Sequence, residues 1–269
     1  MSILVIGQSA FLAKPLQTMS ATENIHFLDH KKALDSSHWP KDIKSVINFA
    51  YDPVIRKGEY SDLDYQYAQI ATKQDAAYIM LSSRAVYGVP DTPTTLTEEH
   101  NFFDTVTPYG HTKRLIENKL QEDFDHITIL RLGNIFGFEY RPEKPRPTFF
   151  GAMLQNLKEQ GGINFSMSAL TQRDFLPIEI FVQNLLSVAN DPQTGIFNMG
   201  AGFGTKCGDV AGWVIEGYAD GILTAEKTQI IDSFILDMSK TNTAYGLNNI
   251  DTNQIKNACV DIGKQLQEM

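Results

Sequence analysis

The sequence predicts an α/β protein built on a parallel β-sheet, and three features carry that prediction. Ile3–Ile6, Ser45–Ala50, Ala77–Ser83 and Ile127–Arg131 are short, continuous apolar runs, as expected of strands covered on both faces. Segments with apolar residues at helical spacing separate them, as at Leu63, Tyr67, Ile70 and Ala71. The first run ends at Gly7 and leads through a short turn into a helix, so the chain opens as a strand–turn–helix unit.

The remaining elements follow in order. Pro15 sits just inside the first helix, where its missing N–H is tolerated. Ile25–Asp29 is the second strand. Trp39-Pro40 interrupts the stretch from Ala33 to Ile43, so only a turn or brief helix is expected there. Ser45–Ala50 is the next strand, and a helix spans residues 62–75. Ala77–Ser83 is a buried strand ending in two hydroxyls. The polar loop after Gly88 contains His100, which receives no role. Thr107 suits an N-cap and Pro108 the first position of the helix that follows. Ile127–Arg131 is a strand, and Glu139–Pro147 is too rich in proline and charge for regular structure.

Beyond it, Phe150, Met153, Leu154 and Leu157 mark a helix, and Ile163–Met167 a short strand. Val182, Leu185, Leu186 and Ala189 form another helical stripe, and Gly195–Gly200 a strand. A helix carries Val210, Trp213 and Val214. An amphipathic helix through Ile255, Cys259, Ile262 and Leu266 closes the chain.

With 269 residues, one globular unit with a modest second lobe is expected. A net charge of −9 argues against nonspecific nucleic-acid binding. Cys207 and Cys259 show no metal or redox spacing and fit reduced thiols. The apolar start is too short for a signal peptide, and no run reaches membrane-spanning length, so a cytoplasmic protein is expected.

The chemistry centres on the helix after Thr107. Tyr109 and Lys113 are four residues apart and share one face, anchored by Ile116 and Leu120. A phenol beside an ammonium is a proton-transfer pair, because the positive charge favours phenolate. Ser83, at the end of a parallel strand, opens onto the crevice where such sheets bind ligands. Ser83, Tyr109 and Lys113 are therefore expected to meet.

Ser82-Ser83-Arg84-Ala85-Val86-Tyr87-Gly88, then Pro108-Tyr109-Gly110 with Lys113 and Glu117, resembles the extended short-chain dehydrogenase/reductases, the NAD-dependent epimerase/dehydratase family acting on nucleotide sugars. The resemblance implies a Rossmann-type doubly wound parallel sheet with a smaller C-terminal substrate-binding lobe. It divides the chain into residues 1–140 and 141–269, with 173–200 contributing back to the first part. It makes Ser83, Tyr109 and Lys113 the catalytic residues. Gly7, Ala10, Phe11 and Leu12 would hold the dinucleotide, although only Gly7 remains of the family's three turn glycines, with Ala10 and Ala13 in the other places. Asp29 would hold the adenosine ribose, which favours NAD. His30, Lys31 and Lys32 follow at once and leave NADP open. Ala50 belongs to the strand end beside the cofactor, and Tyr51 replaces a second alanine there.

Leu130-Arg131 with Asn134 and Gly137 resembles the family segment whose asparagine contacts the nucleotide sugar, so that role passes to Asn134. Arg173-Asp174-Phe175 matches the segment whose arginine binds the substrate diphosphate; an Arg173–Asp174 ion pair is the structural alternative. Arg141 and Arg146 reach phosphate or simply sit in a solvated loop. Leu236-Asp237-Met238-Ser239-Lys240 also fits the family, whereas Tyr245–Asn249 departs from it. Three activities follow: a ketoreductase on a nucleotide-linked keto sugar, a nucleotide-sugar 4-epimerase, or a non-catalytic dinucleotide-binding regulator. A dehydratase is disfavoured, because Arg84-Ala85 stand where those relatives carry an acid pair. Relatives also pair through two long helices, which makes a homodimer through the helices around Tyr67 and Ile116 an expectation.

Overall fold

The computed structural model of the chain describes residues 2–19, 24–90, 92–99, 106–143, 146–226, 228–247 and 250–269. His100, Asn248 and Asn249 lie outside the described residues.

The chain runs β1 (Ser2–Ile6), α1 (Lys14–Met19), β2 (Ile25–Leu28), β3 (Ile43–Asn48), α2 (Leu63–Lys73), β4 (Ala77–Ser83), β5 (Thr94–Leu96), α3 (Pro108–Asp123), β6 (Ile127–Leu132) and β7 (Asn134–Phe136). It continues through α4 (Phe149–Gln160), β8 (Gly162–Phe165), β9 (Gln172–Pro177), α5 (Ile178–Asn190), β10 (Gly195–Met199), β11 (Gly204–Lys206) and α6 (Cys207–Tyr218). It ends with β12 (Ile222–Ala225), β13 (Phe234–Leu236), α7 (Ser239–Tyr245) and α8 (Thr252–Gln267).

Six strands form a parallel sheet in the order β10-β6-β4-β3-β1-β2. Side-chain alternation divides its two faces. Ile3, Val5, Ile47 and Ile79 point to one face, with Leu16 of α1 and Val182 and Leu185 of α5. Leu4, Ile6, Val46 and Met80 point to the other, with Tyr67 and Ala71 of α2 and Ile116 and Leu120 of α3. The fold is thus the expected Rossmann-type α/β sheet, helices covering both sides. Because β1 is flanked by β2 on one side and β3 on the other, the winding reverses between β1 and β3, where a crevice opens at the strand ends.

Residues 32–42 hold only two short 3-10 turns, Lys32–Leu34 and Ser36–His38, so β2 remains the edge strand. The third strand ends at Asn48, two residues before the sequence suggests. There the Asn48 carboxamide accepts the Ala50 N–H at 2.8 Å and turns the backbone out of the ladder.

A third core, built from α4, α6, α8, β8 and β9, lies away from the main sheet. Phe136 stacks on Phe150 at 4.5 Å between ring centroids, and Phe175 packs against both. Cys207 and Cys259 are buried free thiols within it. Among the described residues no helix is long and apolar enough to cross a membrane.

Candidate active site

A cleft of about 840 Å³ opens at the carboxyl ends of β1, β3, β4 and β6. Its floor and walls include Ser9–Leu12 of the first turn, Asn48–Tyr51 after β3, Leu81 and Ser82 of β4, and Tyr109 and Lys113 of α3. Four expectations from the sequence therefore share one cavity: the turn, Ala50, the phenol and the ammonium.

The turn tolerates its alanines for identifiable reasons. Gly7 has φ +86°, and a Cβ on it would lie 2.7 Å from the Ala50 nitrogen, so this position needs glycine. Ala10 has φ −63° and ψ 144°, ordinary extended backbone that requires no glycine. Ala13 is fully buried in the core beneath the turn, so its methyl group points away from the cleft. The turn accordingly lines the cleft without closing it.

Thr107 caps α3 as its sequence suggests, accepting the Gly110 N–H at 3.1 Å. This fixes the first turn of the helix, and with it Tyr109, which is half-buried against the α2–α3 face of the core. Tyr51 tilts against the Tyr109 ring, 6.3 Å between centroids. Lys113 is 5 % exposed; its Nζ donates to the Leu81 carbonyl at 3.1 Å and lies 3.7 Å from Asp64 Oδ2. Burial pushes the ammonium pKa down, but Asp64, Tyr109 and Glu117 outweigh it, and the net shift is upward. Asp64 is itself buried and accepts from Asn48 Nδ2 at 2.8 Å and from the Tyr78 hydroxyl at 2.7 Å.

Glu117 ties α3 to the sheet. Fully buried, it accepts from Arg131 Nη2 at 2.7 Å, from Arg131 Nε, and from the Ser82 hydroxyl. Of the two serines ending β4, Ser82 lines the cleft, whereas Ser83 is not among the lining residues. The Ser83 hydroxyl accepts the Ala85 N–H at 3.2 Å as the cap of the 3-10 turn Arg84–Tyr87.

Other expected residues lie elsewhere. Asp29 follows β2, one strand from the Gly7 turn and off the cleft lining. Its carboxylate accepts the Lys31 N–H at 2.9 Å, which lowers its pKa. Asn134 opens β7, opposite Phe175 of β9, and its Nδ2 is buried without a hydrogen-bond partner. Arg173 on β9 lines a separate cavity of about 270 Å³ with Phe149, Asn164 and Met167. Its partner is Asp232, at 3.5 Å, not Asp174. Asp174 instead accepts three backbone N–H groups, from Ala201, Gly202 and Leu236, and burial pushes its carboxyl up to about 6. Asp64, Asn48, Ser82 and Arg56 belong to the cleft or its support without having stood out in the sequence.

An open α/β sheet with a polar cleft at its switch point, holding a glycine turn and a Tyr-Lys helix, defines a Rossmann-type protein. A family model described as the NAD dependent epimerase/dehydratase family matches residues 14–200. The chain belongs to that family.

Solved structures share the fold over the whole chain. A UDP-N-acetylglucosamine 4-epimerase from Methanobrevibacter ruminantium M1, in complex with UDP-N-acetylmuramic acid, matches with a TM-score of 0.82 at 16% identity, covering 100% of this chain and 99% of that one. A dTDP-glucose 4,6-dehydratase from Bacillus anthracis str. Ames, in complex with NAD, matches with a TM-score of 0.76 at 16% identity, covering 100% and 98%. RMD from Pseudomonas aeruginosa, complexed with NADPH, matches with a TM-score of 0.76 at 16% identity, covering 100% and 99%.

Proposed function

We propose that the protein is an NAD(P)-dependent oxidoreductase that reduces a keto group of a nucleotide-linked sugar. The observation that carries this reading is that Tyr109 and Lys113 line the same cleft as the Ser9–Leu12 turn. A dinucleotide fits these residues: the Ser9–Leu12 turn lines the cleft, Ala10 has ordinary extended backbone, and Ala13 is buried beneath the turn and off the lining. When bound, NAD(P)H supplies the hydride.

In this reading the Tyr109 phenol delivers a proton to the carbonyl oxygen as that oxygen gains charge. Lys113 stays protonated, favours the phenolate that Tyr109 becomes, and offers an N–H to the nicotinamide ribose. Ser83 is the second donor to that carbonyl oxygen in this reading, which requires its hydroxyl proton to reach past the cleft lining that Ser82 occupies. Among the described residues that proton has no acceptor in the protein. Asp29 favours NAD through the adenosine ribose, while the neighbouring His30, Lys31 and Lys32 keep NADP in play. Asn134, with its orphaned buried amide, and Arg173 would contact the nucleotide sugar. A dehydratase gains no support, because Arg84 is bound bidentately to Asp232 where an acid would be needed.

The purified protein's absorbance and nicotinamide fluorescence test the reading. Exchangeable NAD(P)H with reduction of a keto sugar nucleotide is expected. Tightly retained NAD and interconversion at one carbon would make it a 4-epimerase, and dinucleotide binding without turnover a regulator. Tyr109→Phe should lose at least about 100-fold in kcat while binding NADH unchanged. A fully active variant would refute the role given to Tyr109.

A further inference from the structure

Three arginines line the cleft around the turn and the phenol: Arg56, Arg141 and Arg146. Arg146 is held in place. Its Nε lies 2.9 Å from Oε2 of Glu139, a carboxylate only 2 % exposed in its side chain, and that same oxygen accepts from Thr148 at 2.6 Å. Thr148 is in turn fixed as the N-cap of α4. The Arg146 guanidinium lies over the Phe11 ring, 4.4 Å from its centroid, and Phe11 belongs to the first turn. Arg56 lies 5.2 Å from the centroid of Tyr51, whose other neighbour is Tyr109.

Among the described residues neither Arg56 nor Arg141 has a carboxylate within ion-pair distance, and the two Nη groups of Arg146 have no hydrogen-bond partner. Three like charges with one carboxylate between them repel one another across a shared cavity, and an anion relieves that. In a protein of net charge −9, three arginines lining one cleft are a local concentration of positive charge.

We propose that Arg56, Arg141 and Arg146 form a guanidinium rim that binds the diphosphate of a nucleotide in this cleft. Planar forks suit phosphate oxygens. The rim adds charge-assisted side-chain contacts to a cleft whose turn carries alanine at two family glycine positions, with Arg146 seated over Phe11 of that turn. The inference rests on the oxidoreductase reading for the word nucleotide; the diphosphate itself could arrive on the dinucleotide or on the sugar nucleotide.

Equilibrium binding to the full-length chain tests it, with NADH followed by fluorescence and UDP by calorimetry. R146Q should weaken at least one of the two by about 10-fold or more, and R56Q and R141Q each several-fold, with affinity falling as salt rises. Weakening of NADH alone assigns the rim to the dinucleotide, and of UDP alone to the sugar nucleotide. If wild type binds NADH and none of the variants changes either affinity, the rim is refuted and the oxidoreductase reading stands. Wild type binding UDP but not NADH, with the variants weakened, keeps the rim and removes that reading. Binding of neither ligand removes both. Because R146Q strands Glu139, the E139Q/R146Q double variant and exposed R56Q decide the matter should R146Q unfold.

Discussion

The ammonium of Lys113 depends on one carboxylate. Asp64 is the largest influence raising its pKa, against a burial that would otherwise lower it. Asp64→Asn keeps the shape and the contacts to Asn48 and Tyr78 but removes the charge. The folded-state pKa of Lys113 should then fall. The sign follows from the direction of the shift. A raised lysine pKa gives stability that is complete below the unfolded value of about 10.4 and is lost as pH rises through the higher folded value. In the variant that loss moves to lower pH, so the alkaline limb of the pH–activity profile and of the thermal midpoint should both shift downward. Identical alkaline limbs in variant and wild type would remove Asp64 from this role. The Tyr109–Lys113 pair was legible because its spacing alone puts both on one helical face. Asp64 was hidden by a choice of stripe. Leu63, Tyr67, Ile70 and Ala71 suggest one face, whereas the buried set on α2 is Asp64, Tyr67, Ala68 and Ala71, one residue round the helix. A carboxylate at i, with apolar partners at i+3, i+4 and i+7, is the signal that would have exposed it.

At the scale of elements, the site depends on how closely α3 approaches the turn after β4. Gly110 follows Tyr109, and a Cβ built there would overlap the Ala85 carbonyl oxygen and crowd Val106. The glycine in Pro108-Tyr109-Gly110 therefore serves packing: it lets the tyrosine helix lie directly on the turn that Ser83 caps. Gly110→Ala should cost about 1–3 kcal/mol of stability by overpacking. It should also lower kcat more than it raises KM, since Tyr109 is pushed from its place while the binding surfaces remain. A thermal midpoint and kcat within error of wild type would show that the two elements have slack. Long apolar runs made β1, β4, β6 and β10 readable, and helical periodicity did the same for the helices beside them. The three-residue strands β5, β7, β11 and β13 escaped notice. They are too short to show a period of two, and β5 finds its partner β13 about 140 residues further on, a pairing no local pattern encodes. Asn134 illustrates the consequence: a turn-forming residue by type, it begins β7 because β9 is there to pair with it.

For the molecule as a whole, the sheet and the C-terminal segments are joined by a partly buried ionic knot. Arg84, at the end of β4, donates to both carboxylate oxygens of Asp232, just before β13, and stacks 4.4 Å from the centre of the Phe234 ring. Arg173 of β9 lies 3.5 Å from the same carboxylate. Asp232 holds a left-handed backbone, φ 55°, a conformation aspartate and asparagine tolerate better than most residues. Two cations on one anion make the partners unequal. Removing Arg84, as in Arg84→Met, leaves Asp232 still paired with Arg173. Removing the charge of Asp232, as in Asp232→Asn, preserves the backbone preference but leaves two guanidiniums facing each other with no anion between them. Breaking a fully buried pair from one side costs about 3–5 kcal/mol; this knot is partly buried, so its losses fall below that range, with the like-charge contact making Asp232→Asn the larger. Asp232→Asn should thus lower the urea midpoint more than Arg84→Met, and the double variant should be less stable than Arg84→Met by less than the Asp232→Asn loss alone, because removing Arg84 also removes half of the repulsion. Equal losses, or the reverse order, would mean that the knot is held by the packing of Arg84 on Phe234 and not by its charges.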